Sequence, residues 1–187
     1  MGQYYRPYLK GERDVVTLVS WDYDNGAKLM EHSWLGNEFI NAVLFLLFDE
    51  KRKVGWIGDY SLDAGCNPEI YEVCWGDNAQ KSLIVTPPQY FADDDGIVGE
   101  GYLINHTKKE YIDYKEYQKL AERNGWCVNP LPLLTAIGNG LGGGDYYKKN
   151  VNADLVGYWY LDELEFSINL HPPKGYANMT EHYIFID

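Results

Sequence analysis

The sequence predicts an α+β fold in which a mainly antiparallel sheet packs against one central helix. Strand-like segments outnumber strong helical ones, and several are separated by short polar turns that suit hairpins. One segment, from Asn37 to Asp49, has the strongest helical pattern. No low-complexity linker divides the chain, so residues 1–187 are expected to form a single domain.

The central helix is predicted from apolar side chains that recur at helical spacing after Asn37, which can cap the first turn. This stripe comprises Phe39, Ile40, Val43, Leu44, Leu47 and Phe48. Phe45 and Leu46 widen the apolar surface beyond one face, which predicts a helix that is buried on most sides.

The other elements are predicted from β-rich runs and from turn and capping residues. The expected strands are residues 4–9, 15–19, 54–57, 83–86, 102–105, 110–113, 155–167 and 182–186. The segment 155–167 is either one long strand or a bent pair. Two hairpins are expected, one from the 4–9 and 15–19 strands and one from the 102–105 and 110–113 strands. Short helices are predicted at residues 27–33, 69–75 and 114–123. Asn67 followed by Pro68 is a capping signal for the second of them.

The chain is strongly acidic, since 28 Asp and Glu against 16 Lys and Arg give a formal net charge of −12. Binding to phosphates needs Lys and Arg that displace counterions, so this charge disfavours nucleic acid and anionic membranes as direct partners and favours a basic protein partner. No apolar run approaches the roughly 18 residues of a membrane span. The N-terminus lacks a secretory pattern, so the expected location is the cytoplasm, which is the host's if a phage encodes the protein.

The residue types that usually carry catalysis or bind metals form no recognisable motif. The four histidines are widely separated and the three cysteines have no CxxC spacing, so neither a metal site nor a disulfide framework is expected. No cofactor is predicted, and a non-catalytic protein is favoured, although enzymatic activity stays open. A site built from Asp59, Asp145 and Asp162 would require the fold to bring three carboxylates together.

The segment from Gly138 to Asp145 is the strongest local signal for a ligand site. Its five glycines allow positive φ angles and close approach to a ligand, and successive N–H groups in such a loop can bind an anion. The candidate ligand-binding residues are Gly140, Gly142, Gly143, Gly144, Asp145, Tyr146 and Lys148. The spacing matches neither a P-loop nor a dinucleotide fingerprint, and the alternative interpretation is a tight turn packed under the aromatic-rich segment that follows.

Clusters of tyrosine and tryptophan, interleaved with carboxylates, predict an acidic surface rich in aromatic rings. Such rings supply contact area at low entropic cost, and this surface would suit a basic groove on a protein or a stacked nucleotide or sugar. The candidate interaction residues are Tyr111, Tyr114, Tyr158, Trp159 and Asp162. The alternative interpretation is that half-buried strand tyrosines pack a thin sheet.

Several segments together resemble a family of small bacterial and phage proteins for which no activity is implied. The matching segments are MGQYY at the N-terminus, GAKLME at residues 26–31, GDY at 58–60, NHTKKEY at 105–111 and GNGLGGGDY at 138–146. Leu141 stands where a basic residue is expected, and Tyr160 with Leu161 replaces a smaller pair before Asp162. The resemblance implies a shared origin and fold.

Three functional hypotheses remain open. The first is a non-catalytic acidic module of phage or bacterial conflict systems, similar in role to an anti-CRISPR protein, that inhibits a basic nucleic-acid-binding partner. The second is a protein that binds a nucleotide or phosphate through the 138–145 loop, either to sequester the ligand or to hydrolyse it with a metal ion. The third is an assembly protein that oligomerises through its tyrosines.

Overall fold

The computed structural model describes residues 2–77, 79–93, 98, 100–124, 128–146, 149–169 and 171–186. Within this part of the chain the fold is α+β, as predicted. The strands are β1 (Tyr5–Lys10), β2 (Val15–Thr17), β3 (Arg52–Gly58), β4 (Tyr102–Asn105), β5 (Glu110–Asp113), β6 (Ala136–Ile137), β7 (Glu163–Ser167) and β8 (Ala177–Asn178). The α-helices are α1 (Leu29–His32), α2 (Glu38–Leu46), α3 (Pro68–Trp75), α4 (Tyr114–Asn124) and α5 (Pro130–Thr135), and short 3-10 helices cover Ser20–Tyr23, Ser61–Ala64 and Ala153–Leu155.

The eight described strands join one sheet in the order β2-β1-β3-β7-β4-β5-β8, and β6 pairs with β3 off this path. Most neighbouring strands are antiparallel, while the β3–β6 and β5–β8 pairs are parallel. Both predicted hairpins form, because β1 pairs with β2 and β4 pairs with β5. A single continuous sheet gives the described chain one α+β domain.

Helix α2 is the buried helix that the sequence predicts. Asn37 caps it, because the side-chain oxygen of Asn37 accepts hydrogen bonds from the backbone N–H groups of Phe39 and Ile40. Every side chain from Phe39 to Leu44 is buried, and the apolar ones belong to the main hydrophobic core. The apolar surface is wider than one helical face, so the helix is buried on several sides.

The end of α2 differs from the prediction. The helix stops at Leu46, whereas the apolar pattern predicts an end at Asp49. Asp49 adopts a left-handed conformation with φ +50°, and its backbone N–H donates a hydrogen bond to the carbonyl of Phe166 in β7. Hydrogen bonding to the sheet therefore ends the helix one turn early.

The short predicted helices form as α1, α3 and α4. Helix α3 has the expected cap, because the side chain of Asn67 accepts a hydrogen bond from Glu69 N–H at 2.8 Å and Pro68 opens the helix. Helix α5 lies at residues for which the sequence patterns predict neither a helix nor a strand. It uses the same kind of cap, since the side chain of Asn129 accepts a hydrogen bond from Leu131 N–H.

The prediction of a strand at residues 83–86 is wrong. These residues belong to a segment without regular secondary structure, residues 79–93, which contacts the edge strand β2 through Gln80 and Leu83. The N–H of Leu83 donates to the carbonyl of Thr17, but no regular ladder follows among the described residues. The β-rich composition of this segment favours an extended backbone, yet a strand also needs a partner that matches it residue by residue.

Two predicted strands near the C-terminus are also wrong in extent. The segment 155–167 contributes only β7 to the sheet, because turns occupy residues 156–161. Residues 182–186 contain an isolated bridge between Ile186 and Val151 in place of a closing strand. Both segments still supply large apolar side chains to the core, which accounts for their strand-like composition.

A fully buried histidine links α1 to β3. The Nδ1 atom of His32 lies 2.9 Å from the carbonyl oxygen of Gly26, and the indole N–H of Trp56 donates to its Nε2 at 2.9 Å. An indole N–H can only donate, so Nε2 carries no proton and Nδ1 carries one. Burial of the ring lowers the pKa of His32 to about 4. His32 is therefore a neutral core residue and not a proton-transfer partner of its neighbour Glu31.

We expect the stability to decrease as the pH falls through the range set by His32. The unfolded chain binds a proton near the ordinary pKa of 6.5, whereas folded His32 resists protonation down to about pH 4. The contribution of neutral His32 is therefore complete above pH 6.5 and is lost, by about 3 kcal/mol, as the pH approaches 4. Urea unfolding at about pH 7 and about pH 4.5 measures this loss. His32→Gln cannot titrate here, so equal pH dependence in both proteins would contradict the assignment.

Candidate functional site

The glycine-rich segment forms one side of a cleft of about 300 Å³. Residues from β1, α1, β6, the 138–146 loop and the turns before β7 contribute to the walls. The lining side chains other than Asp145 are apolar or aromatic; they include Leu29, Ile137, Val156, Tyr5 and Tyr160. The cleft therefore combines one carboxylate with walls that favour an apolar body.

Glycines allow the loop to pack directly on the N-terminal strand. A Cβ atom at Gly142 would lie 2.6 Å from the backbone nitrogen of Gln3, so no larger residue fits there without movement. Gly144 has φ +104°, and its carbonyl accepts a hydrogen bond from Met30 N–H in α1. The expected close approach of the loop backbone is thus an approach to the rest of the chain.

The loop binds a carboxylate of its own. The N–H of Gly142 donates to Oδ2 of Asp145 at 2.9 Å, and the Tyr5 hydroxyl donates to Oδ1 at 3.0 Å. The backbone N–H of Asp145 returns a hydrogen bond to the carbonyl of Gly142 at 3.0 Å. A loop that already holds a carboxylate repels a phosphate, so this arrangement disfavours the anion-binding role.

The Asp145 carboxylate is buried, and no ion pair joins it to a basic side chain in the part of the chain that the structure describes. Burial raises the pKa of Asp145, and the charge of Asp59 raises it further, while hydrogen bonds from Gly142 and Tyr5 oppose the change. Burial and the charge of Asp145 raise the pKa of Tyr5 far above its ordinary value. The Tyr5 hydroxyl is therefore a permanent donor to the carboxylate.

Gln3 is a buried residue of this site that sequence patterns do not single out. Its Oε1 lies 2.9 Å from the Tyr5 hydroxyl, while its buried Nε2 has no hydrogen-bond partner in the part of the chain that the structure describes. A Cβ atom at Gly138 would lie within 2.5 Å of both the Tyr5 hydroxyl and Gln3 Oε1. The two most distinctive segments, MGQYY and GNGLGGGDY, are therefore in direct contact.

The predicted ligand-binding residues lie at different places around the loop. Gly140, Asp145 and Tyr146 line the cleft, Gly142, Gly143 and Gly144 form the rest of the turn, and Lys148 lies outside the described residues. The hydroxyl of Tyr146 lies 2.7 Å from the carbonyl oxygens of Val151 and Ile186 and accepts a hydrogen bond from Ile186 N–H, so it holds the C-terminal segment in place.

The three candidate carboxylates do not share one site. Burial is the main cause of the raised pKa of Asp145, and the charge of nearby Asp59 raises it further. Asp162 instead accepts hydrogen bonds from Asn105 and Lys108, at the end of β4 and in the turn after it. Within the described ranges, no group of three or more His, Cys, Asp or Glu side chains could hold a metal ion.

The predicted interaction surface does not form at the predicted residues. Tyr114, Trp159 and Asp162 are buried, Tyr111 is half-buried, and Tyr158 is exposed. The two buried rings donate hydrogen bonds to a side-chain amide oxygen and to a carboxylate, which allows these large polar aromatics to enter the core. Clustering along the sequence therefore marked core residues here.

Other exposed rings and carboxylates lie at the end of the sheet where β1 begins and β3 ends. We call this region the acidic–aromatic face; its exposed members are Tyr4, Trp21, Asp22, Tyr60, Asp63 and Glu72. No Lys or Arg occurs between Lys53 and Lys81, while five acidic residues do. Negative charge is therefore concentrated on this face.

Direct contacts join the segments of the acidic–aromatic face. The rings of Tyr4 and Trp21 meet edge to face with their centroids 6.0 Å apart. The backbone N–H of Tyr4 donates to Oδ1 of Asp59 at 3.1 Å, and the Tyr71 hydroxyl donates to the Asp59 carbonyl. Burial raises the pKa of Tyr71, and the charges of nearby Asp and Glu side chains raise it further. Segments that are distant in sequence thus form one surface.

Arg6 is a basic residue next to this face, and its side chain packs against α3. The guanidinium carbon of Arg6 lies 4.3 Å from the centroid of the Trp75 ring, and its Nη1 donates to the carbonyl of Cys74 at 2.8 Å. The guanidinium is therefore held against α3; burial lowers the pKa of Arg6, and the nearby Cys74 and Asp22 oppose this change.

No protein-family model, curated protein or solved structure matches this chain significantly. The resemblance to small bacterial and phage proteins therefore stays a prediction. Across the described residues, no helix has the length and apolar character needed to cross a membrane, and the longest, α4, has 11 residues.

We expect Asp145→Asn to change how stability varies with pH. The folded pKa of Asp145 is raised by burial, so the folded protein takes up this proton before the unfolded chain does as the pH falls. Wild-type stability should therefore increase relative to that of Asp145→Asn between neutral pH and the acid range. Melting temperatures measured across this range test the prediction. The exposed control Asp24→Asn should run parallel to wild type, and parallel curves for Asp145→Asn as well would contradict it.

Proposed function

We propose that this protein is a non-catalytic acidic binding protein that docks on a basic nucleic-acid-binding partner and inhibits it. The acidic–aromatic face carries the proposal, because exposed rings stand among carboxylates in chain segments, 14–27 and 54–80, that contain no Lys or Arg. Carboxylates in such a surface can replace phosphates, and the rings can replace stacked bases, in a groove built for nucleic acid. A role in phage or bacterial conflict, in the cytoplasm, fits this activity.

The charge of the face supports recognition of a basic partner. Opposite charges steer two proteins together and fix their orientation, and this effect weakens as salt screens the charges. The exposed rings of Trp21, Tyr4 and Tyr60 add apolar contact area to the same surface. Charge and apolar contact thus act on one surface.

The alternative function, binding of a nucleotide or phosphate in the 138–145 loop, has less support. The loop N–H of Gly142 is directed to the Asp145 carboxylate, which would repel the ligand. The described residues also hold no cluster of ligands suited to a metal ion that could neutralise the phosphates.

We expect the acidic–aromatic face to bind a polycation at one location. In the variant Asp22→Asn, Asp63→Asn, Glu72→Gln, binding to an immobilised nona-arginine peptide should weaken about tenfold at low salt, since each exposed charge contributes roughly 0.5 kcal/mol. Biolayer interferometry measures the affinity. The control Glu12→Gln, Glu122→Gln, Asp154→Asn removes the same total charge from other exposed positions. Equal losses in the two variants would show diffuse charge and overturn the proposed docking face.

Trp21→Ala separates the aromatic contribution from the charge contribution. Trp21 is 55% exposed, so its removal should weaken binding while leaving the core intact. The dependence of affinity on salt concentration should stay as in wild type, because no charge is lost, whereas the triple charge variant should show a smaller dependence. Unchanged affinity in Trp21→Ala would remove the aromatic ring from the interface.

A further inference from the structure

We propose that the cleft beside Asp145 binds a cationic group, an ammonium or a guanidinium, carried on a short apolar stem. This inference does not depend on the acidic–aromatic face. The cleft recognises the cationic group itself, which a free amine and a basic side chain of a protein both carry.

Asp145 is a buried carboxylate that has no basic partner among the described residues. Asp145 and Asp162 are both buried, at 4% and 8% exposure. Asp162 has a basic partner, Lys108, in addition to the amide of Asn105. Among the described residues, Asp145 accepts hydrogen bonds only from neutral groups, and none of these residues supplies a counterion for its charge. Buried charges in proteins are usually paired, and a bound cation would supply the missing partner.

The Asp145 carboxylate can accept more hydrogen bonds than the two that it receives from the described residues. Each oxygen of Asp145 accepts one hydrogen bond, from Tyr5 and from Gly142, whereas a carboxylate has about four acceptor positions. Acceptor positions therefore remain on the Asp145 carboxylate, and the donors of an ammonium or guanidinium match them.

The size and lining of the cleft also suit a small cation on an apolar stem. Its volume of about 300 Å³ corresponds to on the order of ten non-hydrogen atoms. Leu29, Ile137 and Val156 offer apolar walls for a stem, and the rings of Tyr5 and Tyr160 can attract a cation. A phosphate would be repelled by Asp145, and a neutral ligand would leave the carboxylate unpaired. The cleft thus selects for positive charge on a small apolar body.

The test compares benzamidine with benzamide, which has nearly the same shape without the charge. Titration calorimetry of the intact protein should show saturable one-to-one binding of benzamidine, at least about tenfold tighter than that of benzamide. Asp145→Asn should remove this preference, and the exposed control Asp24→Asn should retain it. Equal binding of the two compounds to wild type, or a preference that survives in Asp145→Asn, would overturn the proposal.

A second variant keeps the test valid if Asp145→Asn does not fold. Ala64 is exposed at the cleft, so Ala64→Leu fills space there without changing a charge. Benzamidine binding should weaken at least about tenfold in Ala64→Leu, and unchanged binding would place the cation elsewhere and overturn the proposal.

Competition against benzamidine separates the two sources of the cation. Displacement by agmatine alone supports a free small cation as the ligand. Displacement by the capped peptide Gly-Gly-Arg-Gly-Gly as well, but not by the same peptide with citrulline, supports an arginine side chain from a protein. Failure of both agmatine and the peptide would overturn the proposal.

Discussion

The hydrogen bond between the Tyr5 hydroxyl and the Asp145 carboxylate joins residues that are 140 positions apart, and the geometry of the cleft depends on it. Tyr5 opens β1, whose neighbours in the sheet are β2 and β3, and its backbone N–H donates to the carbonyl of Ala27 before α1. The glycine loop is tied to α1 in turn through Met30 and Gly144. The Tyr5–Asp145 bond and these two backbone bonds together orient the first strand, the first helix and the loop relative to each other.

Local elements could be predicted from sequence because their signals are local. Asn37 and the Asn67–Pro68 pair mark helix starts through bonds within three residues, and both hairpins are closed by polar turns between β-rich runs. The errors arise where distant contacts decide. Asp49 leaves its helix because β7 binds its N–H, and residues 83–86 remain outside the sheet although their composition favours a strand.

The candidate site was predictable only in part, for the same reason. The glycines do mark a loop with unusual backbone angles, but the group that the loop holds is Asp145 of its own chain. The sequence predicts Tyr114 and Trp159 on a surface. Composition alone cannot show that both side chains have hydrogen-bond partners in the core. The acidic–aromatic face combines segments near residues 4, 21 and 60–72; its sequence signal is the absence of basic residues from segments 14–27 and 54–80.

The edges of the sheet have a consequence for self-association. The edge strand β2 has three residues and contacts the 79–93 segment, while β8, at the opposite edge, has two. Short edges offer another copy of the chain few unpaired backbone groups on which to add a strand. Like charges on the acidic–aromatic faces of two copies also repel each other. The short edges thus disfavour edge-to-edge pairing between copies of the chain, while the acidic–aromatic face can still bind a molecule of opposite charge.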